Sequence, residues 1–296
     1  MKPRASERRR RLVRVVVAPV LALACVAGTG IGSTAASFGS RAEASATVST
    51  RPACGGGTAY AALLSTPAWT PTIWWRFSNL TGQATVPDAS GNGNDGTASG
   101  SGLSFGTANA GMVACDTTYA MRTTGGAGAN GRVIARTVRN APTTFTVATW
   151  VRGTAVTGGR LVGFGSSSTG ASASRDRALL LDRSGRPVLH LGTGTGNVLL
   201  TSPAAITDGN NHLLVASVTP TRAQLYVDGL LMASTLLVTP PPSYSGYWRA
   251  GWETGVNLII SGSRNQANAR QDEVAVWEGR ALDATEVSAL FQANHW

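Results

Sequence analysis

The segment from Asp208 to Ser234 constrains the fold more than any other part of this 296-residue chain. Its residues 222–227 alternate strictly between polar or aromatic side chains and aliphatic ones. A period of two is typical of a β-strand that buries one face. Hydrophobic runs lie on both sides of this strand, and Asp228-Gly229 after it suits a tight hairpin turn. The segment therefore predicts three consecutive antiparallel strands, which need a second sheet to cover their apolar face.

Short runs of β-forming residues continue along the chain, and turn residues separate them. Many short strands at a spacing of about 8 to 12 residues are typical of a β-sandwich. Further predicted strands include residues 73–78, 111–115, 132–138, 144–152, 246–251, 256–261 and 273–277. One short helix is predicted near the C-terminus, because Asp283 suits an N-cap and Glu286 follows three positions later. We expect an all-β domain of two antiparallel sheets over residues 72–296.

Residues 1–44 have the layout of a secretory signal peptide, with a basic cluster, an apolar run and then small residues. Ala42-Glu43-Ala44 fits the A-x-A cleavage form, so cleavage is predicted after Ala44 and the protein is expected outside the cell or at its surface. Two alternatives stay open: lipidation at Cys25, or an uncleaved leader that anchors the chain in a membrane. Residues 45–71, rich in small residues and proline, are predicted to form an N-terminal arm.

Most of the formal net charge of +10 comes from the predicted signal peptide. Without residues 1–44 the chain has 17 basic and 13 acidic residues, which leaves a net charge of +4. The remaining arginines are scattered along the sequence and are not interleaved with aromatic residues. This distribution disfavours a nucleic-acid partner.

Cys54 and Cys115 are the two cysteines that follow the leader. In an oxidising exterior, one pair of cysteines predicts a disulfide. The bond would close a loop of 60 intervening residues and pin the arm to the domain. In the chain-entropy model, a loop of this length contributes on the order of 4 kcal/mol to stability.

Four motifs occur in order along the chain, at residues 88–96, 145–151, 208–229 and 272–286. They read Asp-Ala-Ser-Gly-Asn-Gly-Asn-Asp-Gly; Phe-Thr-Val-Ala-Thr-Trp-Val; Asp-Gly before His212 and a closing Leu-Tyr-Val-Asp-Gly; and Asp-Glu-Val-Ala-Val-Trp before a short helix. Together they resemble the laminin-G-like domains of the concanavalin A-like lectin/glucanase superfamily. The resemblance implies a two-sheet jelly roll. It does not imply one activity, because this fold hosts lectins, hydrolases and adhesion modules.

Hydrolases of this superfamily need two carboxylates that face the scissile bond. The Glu-x-Asp-x-x-Glu pattern of laminarinase-like relatives is absent from the sequence. The nearest candidates, Asp272 and Glu273, are neighbours in a predicted strand, so we expect them to point to opposite faces. No residue is assigned a catalytic role, and we expect a protein that is not an enzyme.

The loop at residues 88–96 offers hard oxygen ligands for Ca²⁺ from Asp88, Asn92 and Asn94. Laminin-G-like domains often bind structural calcium, and the resemblance implies that Asp272 lies near this loop and contributes a further ligand. The same Gly/Asn composition also suits a turn that holds no metal. Calcium is therefore one of two interpretations of this loop.

An aromatic cluster follows Pro240-Pro-Pro242, and flat rings of this kind stack on sugars and on protein partners. We predict Tyr244, Trp248 and Trp252 as ligand-binding residues, although Trp248 also suits a core strand. The resemblance implies non-catalytic binding of carbohydrate at or outside the cell surface. The alternative is an adhesion module that binds a cell-surface or matrix protein, and a glycoside hydrolase is less favoured.

Overall fold

The computed structural model describes residues 59–79, 81–155, 157–194 and 196–294. The strands are β1 (Ile73–Trp75), β2 (Thr85–Val86), β3 (Gly96–Ser99), β4 (Leu103–Ser104), β5 (Met121–Thr124), β6 (Arg132–Ala135), β7 (Arg139–Asn140), β8 (Phe145–Arg152), β9 (Gly159–Gly165), β10 (Arg175–Leu181), β11 (Pro187–Thr193), β12 (Gly196–Thr201), β13 (His212–Thr219), β14 (Arg222–Val227), β15 (Leu230–Leu236), β16 (Ser245–Gly251) and β17 (Asn268–Glu278). The helices are α1 (Ala59–Leu64), α2 (Val256–Ile259) and α3 (Ala284–Gln292). The predicted signal peptide, its cleavage at Ala44, and Cys25 and Cys54 lie outside the described residues, so these predictions and the Cys54–Cys115 disulfide stay predictions.

The strands form two antiparallel sheets, which confirms the predicted fold class. The first sheet has the order β15-β14-β13-β8-β17-β5-β4, with β1 beside β17. The second sheet has the order β12-β11-β10-β9-β16-β6-β3-β2, with β7 beside β16. The predicted meander at residues 208–234 becomes β13, β14 and β15 at one edge of the first sheet, and the Asp228-Gly229 turn joins the last two strands.

The main core lies between the sheets and takes the inward side chains of both. Trp75, Phe145, Phe164 and Val274 are among its fully buried members. Because side chains alternate along a strand, the outer face of each sheet also needs cover wherever it is apolar. On the first sheet, α1 and α3 supply that cover and form a second apolar cluster with side chains such as Trp150.

Several local predictions differ from the structure. Residues 256–261 are predicted as a strand, but 256–259 form α2, because Val256 packs on the outer face of the second sheet rather than joining a ladder. Residues 111–115 form no strand, and α1 and α2 add two helices to the one predicted. Part of the predicted arm, α1, packs in the domain with Tyr60 and Leu64 fully buried. Among the described residues, the helices are too short or too polar to cross a membrane.

Candidate functional site

A surface groove of about 530 Å³ lies beside Trp252, where the loop after β16 meets the loop between β5 and β6. We call it the Trp252 groove. Its lining residues are Gly126, Ala127, Gly128, Ala129, Asn130, Trp252, Asn257, Ser263, Arg264 and Asn265. This volume is in the range of small-molecule sites, and the groove is the first candidate for a binding site.

Trp252 is held in place by both its backbone and its ring. Gly251 has φ 84°, and a Cβ at that position would lie 2.5 Å from the carbonyl oxygen of Gly131, so the turn into Trp252 requires glycine. The Trp252 backbone N–H donates to the same carbonyl at 3.0 Å. The guanidinium of Arg132 lies 5.3 Å from the ring centroid. Trp252 itself is half-buried, so a fixed ring remains partly open to solvent.

Arg132 is itself fixed, which makes the stacked pair rigid. Its Nε donates to the carbonyl oxygen of Thr169 at 2.9 Å, and its Nη1 donates to that of Asn130 at 2.8 Å. The pair therefore ties three loops together at one end of the sandwich, and the indole keeps its orientation before any ligand binds.

Glu253, the next residue, anchors the loop inside the protein. Its side chain is fully buried, accepts hydrogen bonds from the N–H groups of Ser172 and Thr254 at 3.0 Å, and pairs with Arg160 at 3.2 Å and with Arg249. Burial acts to raise the pKa of Glu253, but the two arginines outweigh it and the pKa is lowered. Burial and repulsion from Arg160 lower the pKa of Arg249 to about 10. The cluster therefore stays charged at neutral pH and holds the loop in one position.

Several polar groups of the groove are left for a ligand. Within the described residues, the side chains of Asn257 and Arg264 are exposed and make no hydrogen bond or ion pair. By contrast, Oδ1 of Asn265 accepts from the N–H of Val256 at 3.2 Å, which braces α2. An indole can stack on a sugar ring, and the unpaired amide and guanidinium groups beside it can hydrogen-bond the sugar hydroxyls.

The other two predicted aromatic residues lie elsewhere. Trp248 is fully buried between Phe145 and Phe164, and its indole N–H donates to Glu278 at 2.8 Å. Alternation along β16 sends it inward, so Trp248 serves the core, which corrects its prediction as a ligand contact. Tyr244 packs its ring against Phe164 at 5.4 Å, and its hydroxyl donates to Asp176 at 2.8 Å. Burial raises the pKa of Tyr244, and Asp176 adds to the effect.

The loop predicted to hold calcium is tied together by hydrogen bonds. Asp88 accepts from the backbone N–H groups of Trp74, Ser90 and Asn94 at 2.9, 3.0 and 2.8 Å. The Asn94 side chain is buried and donates to the carbonyl oxygen of Thr72 at 2.8 Å. Asn92 likewise donates, to the carbonyl oxygen of residue 71 at 3.0 Å. These contacts account for the loop geometry, and calcium binding there stays a prediction.

Asp272 groups with two other acids, Asp116 and Glu273, whose carboxylate oxygens all lie within 4.8 Å of one another. The expectation that Asp272 and Glu273 point to opposite faces is wrong. The pairing of β17 with β8 is irregular between Asp272 and Ala275, and Glu273 has φ 50°. A β-bulge inserts an extra residue and rotates the following side chain, so strict alternation fails at this point.

Arg76 supplies the positive charge in this cluster. Its Nε lies 3.0 Å from Glu273, and its Nη2 lies 3.1 Å from Asp116. The indole N–H of Trp74 also donates to Glu273, and Asp272 accepts from the backbone N–H of Met112 at 2.7 Å. Arg76 therefore bridges the carboxylates of Glu273 and Asp116.

Burial changes the pKa values of two acids in this cluster, Glu273 and Asp272. Burial raises the pKa of Glu273 to about 7, although Arg76 opposes the change. Burial, followed by repulsion from Glu273, raises the pKa of Asp272 well above its usual range. Both side chains are fully buried, so the cluster has no access to a polymeric substrate and is best explained as part of the folded core.

A family model described as the concanavalin A-like lectin/glucanases superfamily, of the laminin G type, matches residues 125–288, which is more than half of the chain. The chain belongs to this superfamily. No curated protein matches this member of the superfamily.

Solved structures share the fold at low sequence identity. The binding domain of botulinum neurotoxin serotype D/C has a TM-score of 0.52 and 11% identity, over 77% of this chain and 53% of that one. Another structure of that domain, in complex with SialylT, gives 0.50 and 12%, over 77% and 52%. Domain 4 of an arabinanase from Geobacillus stearothermophilus, in complex with arabinotriose, gives 0.46 and 16%, over 75% and 98%. The chain thus spans about half the length of the neurotoxin chains.

The sequence predicted Trp252 as a ligand-binding residue but did not indicate the other residues at its groove. Arg132 comes from a segment far from Trp252 in the chain, whereas Asn257 and Arg264 lie in the segment that follows Trp252. The available signal was the glycine and asparagine content of residues 125–130 and 255–265, which marks two loops. That composition does not show that both loops lie at the same end of the sandwich.

Proposed function

We propose that this protein is a non-catalytic carbohydrate-binding module that acts outside the cell and holds its ligand in the Trp252 groove. One observation carries the proposal: a half-exposed indole, fixed by Arg132, borders a groove whose Asn257 and Arg264 side chains have no partner among the described residues. The indole of such a surface can stack on the apolar face of a sugar, and the polar side chains can hydrogen-bond the hydroxyl groups of the sugar.

The fold comparison supports a binding role of this general kind. The neurotoxin binding domain, which has this fold, has been solved in complex with SialylT and in complex with rat synaptotagmin II. One scaffold can therefore present a glycan site and a protein site, and the chemistry of the site has to decide between them.

The buried acids support the non-catalytic part of the proposal. A glycosidase needs two carboxylates at the scissile bond. The neighbouring pair Asp272 and Glu273 lies beneath Trp74 and Arg76 with no exposed surface. A substrate could reach this pair only if the sandwich opened.

The test is a tryptophan-fluorescence titration of the full chain against a broad set of neutral oligosaccharides. We expect Trp252→Ala to weaken binding by about tenfold or more, because it removes the stacking surface. Trp69→Ala is the matched control, since Trp69 is also half-buried beside an arginine, with the Arg280 guanidinium 5.6 Å from its ring centroid. A flat response across the whole set, or equal losses in both variants, would contradict the proposal.

A second candidate function, protein binding, is favoured by the exposed edge of the first sheet. Strand β15 is the edge strand, and Leu230, Leu236 and the following Val238 are 64%, 70% and 97% exposed. An edge with apolar side chains can pair with a strand of another protein. If this function is correct, the protein attaches to a cell-surface protein, and neither excess oligosaccharide nor Trp252→Ala weakens that attachment. Leu236→Lys is expected to abolish it. Attachment that survives Leu236→Lys would count against it.

A further inference from the structure

Three arginines stand side by side on the outer face of the first sheet. Arg270 of β17 lies directly opposite Arg122 of β5 on one side and directly opposite Arg152 of β8 on the other. Their strand neighbours, such as Met121 and Val151, are buried in the core, so the arginines point outward. Directly opposed residues have Cβ atoms about 5 Å apart, which places three positive charges in one row.

No acid balances this row within the described part of the chain. Other arginines, such as Arg76, Arg160 and Arg186, pair with carboxylates, whereas none of these three does. Burial and then repulsion from Arg122 and Arg152 lower the pKa of Arg270. Like charges directly opposite each other destabilise a sheet. The row therefore lowers the stability of the fold, and no ion pair among the described residues offsets this loss.

Most N–H donors of the three arginines have no acceptor in the part of the chain that the structure describes. Arg122 Nη2 donates to Oδ1 of Asn268 at 3.1 Å, and Arg270 Nη2 donates to the carbonyl oxygen of Ala108 at 3.3 Å. Arg152 is exposed. A guanidinium has five N–H donors in a planar fork that matches carboxylate and sulfate groups.

A cavity of about 220 Å³ lies over the row, lined by the three arginines with Gly153, Thr154 and Asn268. The loop that holds Asp208 reaches its rim, because the N–H of Gly209 donates to the carbonyl oxygen of Gly153 at 3.0 Å. The Asp208 carboxylate is already hydrogen-bonded to Asn210 and His212. Among the described residues, Asp208 forms no ion pair with any of the three arginines, and its one ion-pair partner is His212.

We propose that Arg122, Arg152 and Arg270 form a second binding site, which takes the carboxylate or sulfate groups of an acidic polysaccharide. The inference rests on the proposed function and adds to the Trp252 groove a second site, which takes acidic glycans. The lining favours a polysaccharide over other polyanions. Among the described residues, no aromatic ring lines the cavity to stack a nucleobase, and no apolar side chain lines it to enter a lipid surface. Thr154 and Asn268 can hydrogen-bond neutral sugar hydroxyls.

The test is calorimetric titration of the full chain with polygalacturonate, dextran sulfate and neutral dextran. We expect the double variant Arg152→Gln/Arg270→Gln to weaken binding of one or both acidic polymers by about tenfold or more. The double variant Arg183→Gln/Arg222→Gln is the control, because both residues are exposed, neither has an ion pair among the described residues, and the net charge changes equally. We expect the control to retain at least about half of the wild-type affinity.

A second measurement separates a binding role from loss of folding. Removing like-charge repulsion predicts that Arg270→Gln melts at the same temperature as the wild type or higher. The two acidic polymers distinguish carboxylate from sulfate recognition, and salt should weaken either interaction.

Three results would overturn the proposal. They are equal losses in the two double variants, unchanged binding in Arg152→Gln/Arg270→Gln, and equally tight, equally arginine-dependent binding of single-stranded DNA. Failure of the Trp252 groove is a separate result, because Trp252→Ala is expected to leave the arginine-dependent part of acidic-polymer binding intact.

Discussion

Nδ1 of His212 lies 2.7 Å from Oδ2 of Asp228, and this contact joins the start of β13 to the turn between β14 and β15. Asp228 also accepts from the backbone N–H of Leu213 at 2.9 Å and has φ 51°. The other ring nitrogen, Nε2, lies 3.0 Å from Asp208. The imidazole of His212 thus lies between two carboxylates, and we call this arrangement the His212 clamp. Protonation of the ring strengthens both contacts.

The His212 clamp predicts a pH-dependent contribution to stability. Hydrogen bonding to Asp228 raises the pKa of His212, although partial burial opposes the rise. The contribution is therefore fully present below the unfolded pKa of about 6.5 and is lost as pH rises through the higher folded value. We expect His212→Gln to lower the free energy of unfolding by about 1 kcal/mol near pH 6 and by clearly less near pH 9.

Urea unfolding at both pH values measures this difference. Asp228→Asn should reproduce the pattern, because it removes the charged partner from the other side. A loss that is equal at both pH values would show that His212 acts through packing alone.

The buried acid Glu273 predicts a second, separate pH window. Its pKa of about 7 lies above the ordinary value of about 4.5, so the folded state binds more protons than the unfolded state between these values. Stability should therefore fall as pH rises from about 4.5 to 7, by on the order of 2 kcal/mol from this residue. Glu273→Gln should flatten that slope, as seen by denaturant unfolding across the window. Glu278→Gln, at the end of the same strand, is the control, and an unchanged slope in Glu273→Gln would refute the assignment.

The loop at Asp88 predicts different results with and without calcium. Its hydrogen bonds alone predict that Asp88→Ala lowers the melting temperature and that EDTA has no effect on either protein, because three backbone donors lose their acceptor. Bound calcium predicts instead that EDTA lowers the melting temperature of the wild type and that Asp88→Ala abolishes this shift. Thermal unfolding with EDTA, and with calcium added back, decides between them.

Helix α3 predicts a local stability effect at its first turn. Asp283 accepts from the N–H of Glu286 at 2.8 Å, and the Glu286 side chain accepts from the N–H of Asp283 at 2.9 Å. Asp283→Ala should cost about 1 kcal/mol of stability, and chemical unfolding measures it. Asp283→Asn keeps an acceptor and should cost less. Equal costs would mean that the charge, not the cap, stabilises the helix.

The amino-acid sequence by itself determined the features that depend on near neighbours along the chain. Alternation in residues 222–227 gave a strand with Ala223 and Leu225 in the core, and Asp228-Gly229 gave its turn. Asp283 and Glu286 gave the start of α3. These features could be predicted because each rests on the local conformation of a few consecutive residues.

Only the tertiary structure decided which distant residues meet. The bulge at Glu273 turned two acids to one side, and the pairing of β17 with β5 and β8 aligned Arg270 with Arg122 and Arg152. The Trp252 groove likewise joins two loops from separate parts of the chain. Local periodicity specifies which face a side chain takes, but the register between strands far apart in sequence is set by packing of the whole core.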